Sequence, residues 1–319
     1  MTDVLYSGGR ARCAGLTIVF LLAAAALLGG CSERGDDENE TPTAGGTGTP
    51  TGTMTGTETP GPEITPTAGP GTPTATATAP VEEMNLSVFF LKAEEVTPVV
   101  RTVGRTVATG RAAMEELLKG PNEQDQDFGM STAVPEGSRL LGLSIENKIA
   151  TVDLSREFES GGGSLSMQAR LAQVVYTLTQ FPTVDTVIFE IEGARVTTFG
   201  GEGIDLSAPV GPADFEDLTP ILLVLTPRTG DTVSTPVRVT GTANAFEATF
   251  QLEVVDPRGV IVAEKTVTAT SGTGTRGLFD VTVPFALERE GWGAIIVFEL
   301  SPRDGSRTNL REIPVFMKQ

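Results

Sequence analysis

The spacing of hydrophobic residues predicts two folded regions with different periodicity. Between residues 85 and 217, strand-like runs alternate with runs of helical spacing, whereas after residue 219 every hydrophobic run is short and strand-like. The pattern therefore predicts an α+β domain over residues 85–217 and an all-β domain over residues 219–319. Residues before 85 carry a different composition, rich in Thr, Pro and Gly after an apolar N-terminal run.

In the first region, the predicted order is strand, strand, helix, hairpin, helix, hairpin. Thr109 is a candidate cap for the first helix, which Gly120 and Pro121 end. This order favours a small sandwich with two helices on one face of a mostly antiparallel sheet. Strands are predicted over residues 86–91, 96–103, 139–145, 149–154, 186–191 and 196–199, residues 122–137 are predicted as a loop, and the second helix buries Leu171, Val174, Val175, Leu178 and Phe181.

The second region reads as an immunoglobulin-like β-sandwich, because about seven short strands separated by turn residues are typical of that fold. Trp292 is expected in the sandwich core, with stacking on a sugar as the alternative. The predicted strands cover residues 221–225, 237–242, 249–255, 260–268, 277–283, 294–300 and 313–317.

The N-terminus has the features of a secretory signal. Arg10 and Arg12 precede an uncharged, largely apolar run over residues 13–30, which ends in two glycines and Cys31. This ending resembles the lipobox of bacterial lipoproteins, which implies cleavage after residue 30 and a lipid on Cys31. The alternative is an uncleaved membrane anchor, although the apolar run is shorter than a spanning helix needs.

The segment from residue 31 to residue 84 predicts a disordered linker. It is dominated by Thr, Pro and Gly after a short acidic stretch, and such a composition cannot bury enough hydrophobic surface to offset its chain entropy. Together with the lipid anchor, it predicts a protein held on the outer side of the bacterial cell membrane by a stalk.

Charge and composition narrow the function classes. The 319 residues contain 23 Lys and Arg against 41 Asp and Glu, a net charge of −18, and no histidine. Nucleic acid is therefore not expected as a partner. The lack of histidine excludes Ser-His and Cys-His nucleophile pairs. Both cysteines, Cys13 and Cys31, precede the folded regions, so no cofactor or thiolate metal site is expected there.

Three local motifs contain residues that could carry chemistry. The glycines at 161–163 precede a helix and favour a flexible loop over an anion site, because the Lys-Ser/Thr of a P-loop is missing. Asp153 and Glu157 near Arg156 predict a surface ion pair rather than an acid/base pair. The third motif is an acidic group, and because its spacing is not that of a Ca²⁺-binding loop, a Ca²⁺ site is not favoured. The group comprises Asp205, Asp214, Glu216 and Asp217. We therefore predict a non-enzyme, and a hydrolase using carboxylates alone is the remaining catalytic alternative.

Several stretches in series carry a family resemblance. Ala-Val-Pro-Glu-Gly-Ser-Arg-Leu-Leu at 133–141 and Ala-Thr-Val-Asp-Leu-Ser-Arg-Glu-Phe at 150–158 resemble the GerMN domain of sporulation and spore-germination lipoproteins. The stretches at 162–166, 172–182 and 199–204 continue the resemblance in order. The sequence at 239–247 and 298–306 is similar to the Ig-like domain that commonly follows GerMN. The founding sporulation protein has two GerMN domains, whereas this chain shows one.

The resemblance implies a non-catalytic lipoprotein that acts as a protein-interaction or scaffolding module of the cell envelope, related to sporulation or germination. Its expected partners are the membrane, through the lipid anchor, and envelope proteins or peptidoglycan. The alternative is a carbohydrate-binding lipoprotein that attaches to peptidoglycan through the Ig-like domain. A candidate interaction surface consists of Phe199, Gly200, Gly201, Glu202 and Gly203.

Overall fold

A computed structural model describes residues 82–201 and 203–319, which belong to one compact unit, Thr74–Gln319. The predicted signal peptide, Cys31, all but the last residues of the predicted linker and Glu202 lie outside the described residues. Within the described ranges, no helix combines the length and the hydrophobicity needed to cross a bilayer.

The first domain contains eight strands and three α-helices. The four strands β3 to β6 form one sheet, β1 pairs with β2, and β7 pairs with β8. In chain order the elements are β1 (Glu83–Lys92), β2 (Glu95–Gly104), α1 (Thr109–Leu118), α2 (Glu123–Asp127), β3 (Leu140–Glu146), β4 (Ile149–Leu154), α3 (Ser164–Thr179), β5 (Thr186–Ile191), β6 (Ala194–Arg195), β7 (Thr198–Phe199) and β8 (Ile204–Asp205), with 3₁₀ turns at Arg156–Glu159 and Pro212–Leu218.

The α+β class is confirmed, but the sheet differs from the predicted one in three ways. The strands β1 and β2 form a separate antiparallel ribbon, and β4 pairs in parallel with β5. A parallel pair needs a crossover, which α3 supplies. The predicted last hairpin turns at Gly193 as expected, but its second strand is the short β6 and not residues 196–199, because β7 pairs with β8.

The prediction for the helices needs three corrections. Ala108, not Thr109, is the N-cap of α1, and its amide donates to the Thr106 hydroxyl (3.1 Å). The predicted loop 122–137 contains α2, whose start is fixed by a capping box in which Asn122 and Asp125 each accept the other's amide. The hydrophobic stripe of α3 is fully buried except at Phe181, which lies beyond the helix end and is half-buried.

The second domain is the predicted sandwich. One sheet has the order β10-β16-β15-β12-β13 and the other has the order β14-β11-β9. The strands are β9 (Leu222–Thr226), β10 (Thr232–Val233), β11 (Val237–Ala243), β12 (Thr249–Val255), β13 (Ile261–Thr268), β14 (Gly277–Val283), β15 (Gly291–Leu300) and β16 (Arg307–Met317). All seven predicted strands are present, and β10 is an additional short strand parallel to β16.

Trp292 does not lie in the sandwich core. Side chains of a strand alternate between its two faces, and Ile295 and Val297 are the β15 residues that face the core. Trp292 therefore lies on the outer face, where its side chain is 42% exposed. There its ring packs edge-on against Phe316 of β16 and Phe128 of the first domain.

The described residues have two hydrophobic cores, and β9 contributes to both. Leu222 and Val224 belong to the core of the second domain, whereas Leu223 belongs to the core of the first. The alternation along β9 thus places its two faces against different domains. The strand β9 therefore packs against both domains at their junction.

Candidate functional site

The domains are joined by backbone hydrogen bonds at Thr229. The Val100 amide of β2 donates to the Thr229 carbonyl oxygen (3.0 Å), and the Thr229 amide donates to the Pro98 carbonyl oxygen (3.1 Å). The next residue, Gly230, donates its amide to Pro314 of β16 (2.9 Å). This loop therefore lies beside β2 as a short parallel partner and connects it to β16 of the second domain.

Charged groups reinforce the junction on both sides of the loop. Arg311 of β16 forms an ion pair with Glu95 of β2, and the Lys92 ammonium donates to the Glu312 carbonyl oxygen (3.4 Å). Both side chains of the Arg311–Glu95 pair are less than one third exposed, so water screens the pair less than an exposed one.

A second ion pair links the end of the first domain to Arg276, the residue before β14. Arg276 donates to both carboxyl oxygens of Glu216 (2.9 Å each), and the Asn244 amide group donates to the same carboxylate (3.0 Å). These bonds, chiefly those of Arg276, lower the pKa of Glu216 below its ordinary value. The predicted acidic group around Glu216 therefore serves the junction at this residue.

A cleft of about 450 Å³ opens between the domains beside this ion pair. Tyr176 of α3 and Gln180, its C-cap, form one wall, and Thr242 and Arg276 belong to the opposite wall. Burial raises the pKa of Tyr176, whose hydroxyl is 2.5 Å from the Thr219 hydroxyl. Each of these polar side chains already has a hydrogen-bond partner within the protein. Few hydrogen-bonding groups of the cleft are therefore left for a ligand.

The family-like stretches of the first domain meet at one buried arginine. Arg170 of α3 is 2% exposed, and it donates to the carbonyl oxygens of Ala133, Phe158 and Gly161. These residues belong to the stretches at 133–141 and 150–158 and to the glycine loop. Burial lowers the pKa of Arg170, which has three carbonyl partners instead of a carboxylate. The resemblance therefore marks loops that one side chain holds together.

The predicted interaction loop follows the buried ring of Phe199. This ring is 0% exposed and packs against Phe158, with ring centroids 5.6 Å apart. Gly200 has φ +69° and lies so close to Met167 that a Cβ atom would meet the sulfur. Gly201 and Gly203 are exposed. A role in binding stays a prediction, and it falls on the exposed part of this loop.

The other candidate motifs are dispersed or structural. Glu157 forms an exposed ion pair as predicted, but with Arg139 (3.8 Å) and not with Arg156, and Asp153 accepts the Gly193 amide (2.9 Å). Asp205 accepts an amide of its own turn. Within residues 82–201 and 203–319, no group of three or more acidic side chains is arranged as metal ligands.

Four residues that hold the structure together were not identified from the sequence. Thr229, Arg311 and Arg276 connect the two domains, and Arg170 holds three loops of the first domain. The first three carry no local signal, because each acts on a residue distant in the chain. Arg170 had one available signal, since it is a charged residue between Ala169 and Leu171 in a helix that is hydrophobic on most sides.

Two family models match the chain. The Germane model, described as sporulation and spore germination, matches residues 87–197. The immunoglobulin-like domain of bacterial spore germination matches residues 222–306. No curated protein sequence matches the chain.

Solved structures of GerMN domains are similar to the chain. The tandem GerMN domains of the sporulation protein GerM from Bacillus subtilis share 16% identity, with a TM-score of 0.37, and the match covers 64% of this chain and 61% of that one, less than two thirds of its length. The first GerMN domain of the same protein shares 22% identity, with a TM-score of 0.35, over 41% of this chain and 99% of that one. The resemblance found in the sequence is confirmed by the family models: this chain carries a domain of the Germane family of sporulation and spore germination, followed by an immunoglobulin-like domain of bacterial spore germination.

Proposed function

We propose that this protein is a non-catalytic assembly protein of the bacterial envelope. In this proposal a lipid on Cys31 anchors the chain, residues 31–84 act as the stalk, and the two domains together bind other envelope proteins. The sporulation and germination families of both domains support this placement.

The junction is the observation that carries the proposal. Thr229 adds to β2, Arg311 pairs with Glu95, and Leu223 enters the core of the first domain. Two domains joined by a flexible linker would reorient freely, whereas backbone bonds and a shared strand fix their relative orientation. A fixed pair presents one continuous surface, which suits an assembly module.

A crosslinking pull-down from native membranes tests this role. The tagged full chain is crosslinked in the host and the captured proteins are identified by mass spectrometry. We expect a reproducible set of envelope proteins, reduced in a Gly201→Arg variant that adds bulk to the exposed part of the 199–203 loop. Capture of no protein above the level of an unrelated anchored control would contradict the proposal.

Lipid attachment has its own test. Growth with a labelled fatty acid should label the protein, Cys31→Ser should abolish the label, and Cys13→Ser, the matched control, should keep it. Since two acyl chains are needed for stable anchoring, the Cys31→Ser protein should also leave the membrane fraction. Label retained in Cys31→Ser would refute the anchor.

One observation favours carbohydrate binding as a second candidate. A groove of about 610 Å³ lies on the outer face of the sheet β14-β11-β9. Its hydroxyl-bearing lining consists of Thr226, Thr240, Thr268 and Thr270, beside Leu225 and Leu278 and the Arg238–Asp280 ion pair. Such a mixture of hydroxyls, a charged pair and apolar patches suits the alternating polar and apolar faces of a glycan.

Co-sedimentation with purified cell wall distinguishes this candidate. A wall-binding chain should sediment with the wall, Thr240→Val should weaken sedimentation, and Thr308→Val on β16, which does not line the groove, should not. A chain that stays in the supernatant while still capturing envelope proteins would leave only the assembly role.

A further inference from the structure

The strand β3 is a free sheet edge. It is seven residues long and pairs only with β4, at the end of the order β3-β4-β5-β6. An uncovered edge strand presents a row of unpaired amides and carbonyls to a further strand.

The hairpin to β4 determines which groups of β3 point outward. Glu146 pairs with Ile149 across a two-residue turn at Asn147 and Lys148, both with positive φ, as in the tight turns whose flanking residues are hydrogen-bonded. Antiparallel pairing then directs the backbone groups of alternate residues to opposite sides. Leu143 and Ile145 therefore direct theirs away from β4, and no described residue bonds to them.

The other long edges of the described molecule are covered or carry a lysine. The outer edge of β1 receives side chains from α3 and the Ser131 backbone, and the outer edge of β2 receives Thr229. In the second domain, the edge strand β13 carries Lys265, a residue type that protects edges against pairing, and its ammonium group donates to the Thr282 carbonyl oxygen of β14 (3.2 Å).

The free edge also lacks most of the usual protection against pairing. Its sequence, Leu-Leu-Gly-Leu-Ser-Ile-Glu, contains neither Lys nor Pro. Ile145 is 40% exposed and Leu141 is 44% exposed. A bulge between Leu140 and Gly142 interrupts one end only, which leaves residues 142–146 regular. Covering this stretch would bury apolar surface and satisfy backbone groups together.

We propose that β3 pairs antiparallel with β3 of a second copy of this chain, about a two-fold axis at Ser144. In this register Leu143 faces Ile145 of the second copy, and its outward backbone groups bond to that residue. Glu146 faces Gly142, so no two like charges are opposed. The strand is thus complementary to itself, which an isologous pair requires. The inference deepens the proposed assembly role by naming a second copy as one partner.

Engineered thiols test the register. In the full chain carrying Cys13→Ser and Cys31→Ser, Ser144→Cys would place two sulfurs at a non-hydrogen-bonded pair, where Cα atoms are about 4.5 Å apart and a disulfide can form. Thr151→Cys is the matched control, because the two copies of β4 would lie three strand spacings apart, about 14 Å. We expect a disulfide-linked dimer with Ser144→Cys only. Equal crosslinking of both, or of neither, would overturn the register.

Light scattering and sedimentation of the full chain in detergent test the pairing itself. We expect a concentration-dependent dimer whose Kd rises at least about tenfold, or 1.4 kcal/mol, in Ile145→Lys. Leu278→Lys, an equally drastic change at a 63% exposed leucine on a covered edge, should not change the Kd. Circular dichroism shows that each variant is folded.

Different outcomes contradict the pairing of β3 and the assembly role. A chain that is monomeric at every concentration, or a dimer that Ile145→Lys leaves intact, overturns the pairing of β3. A monomer that still captures envelope proteins leaves the assembly role standing without a second copy.

Discussion

The first domain buries polar side chains within its core, whereas the core-facing positions of the second domain are hydrophobic. Arg170, Gln173 and Thr177, all on α3, are at most 2% exposed. The buried acids of the second domain lie outside its hydrophobic core and include Glu253 on the outer face, which pairs with Arg307, and Asp256, which caps a turn.

The difference follows from which backbone amides and carbonyls each fold leaves without a neighbouring strand. In the sandwich, neighbouring strands satisfy most backbone groups. In the first domain, the outer edge of β1 faces a helix, which has no free backbone groups for it. Gln180 and Thr177 therefore accept the Ser87 and Phe89 amides, and Gln173 donates to the Phe89 carbonyl oxygen (3.1 Å). Burial of a polar group without such a partner would be costly. One row of side chains on α3 thus acts as the neighbouring strand of β1.

The strongest test of this comparison removes Arg170. Arg170→Met should lower the free energy of unfolding by about 3 kcal/mol or more, because three buried carbonyls lose their donor. The exposed Arg238→Met is the control, with an expected loss much smaller than that of Arg170→Met, because solvent screens its ion pair with Asp280. Urea unfolding measures both. Similar losses in the two variants would remove the distinction between the domains.

A smaller effect is expected at the edge of β1. Gln173→Leu should cost about 2 kcal/mol, because the buried Phe89 carbonyl and Ala133 amide lose the partner they share. The exposed Gln126→Leu on α2 should be nearly neutral. Hydrogen exchange should show faster exchange at Ala133 than in the unaltered chain. Unchanged exchange there would mean that water replaces the side chain.

A smaller loss of stability is expected at the junction between the two domains. Glu95→Gln weakens the ion pair with Arg311, at an expected cost of about 1 kcal/mol. Trp292, the single tryptophan, packs against Phe128 across the junction, so its fluorescence should shift to longer wavelength if the domains separate. The control variant is Glu247→Gln, at a residue far from β2 in the chain, and its spectrum should not shift. An unchanged spectrum in Glu95→Gln would show that the backbone bonds alone fix the junction.

The smallest effect concerns pH. Arg276 lowers the pKa of Glu216 below its ordinary value of 4.5. The pair therefore stabilises the folded state above that value, and the stabilisation is lost as the pH falls through and below it. Glu216→Gln should reduce the difference in melting temperature between about pH 6 and about pH 3.5. Because Glu216 is partly exposed, we expect a change of a few degrees at most. An unaltered pH dependence would show that solvent screens the pair.

Periodicity and turn residues allowed most elements to be predicted. The sandwich strands alternate with period two and are separated by Gly and Pro, and α3 carries a clear stripe through Leu171, Val174 and Leu178. The short helix α2 was missed although Asn122 and Asp125 have capping-box spacing, because a five-residue helix has too few hydrophobic positions to show a period. The candidate site was predictable only as a loop: the sequence located the turn at Gly200, but not the burial of Phe199.

By itself, the sequence determined the order of elements, the two fold classes and the family resemblance, because these depend on local propensity and on short motifs. The tertiary structure alone decided the parallel pairing of β4 with β5, the position of Trp292 on an outer face and the contact of Thr229 with β2. Each of these depends on residues that are distant in the chain and meet only after folding. The free edge of β3 belongs to the same class, since a strand is an edge only when the sheet has placed every other strand elsewhere.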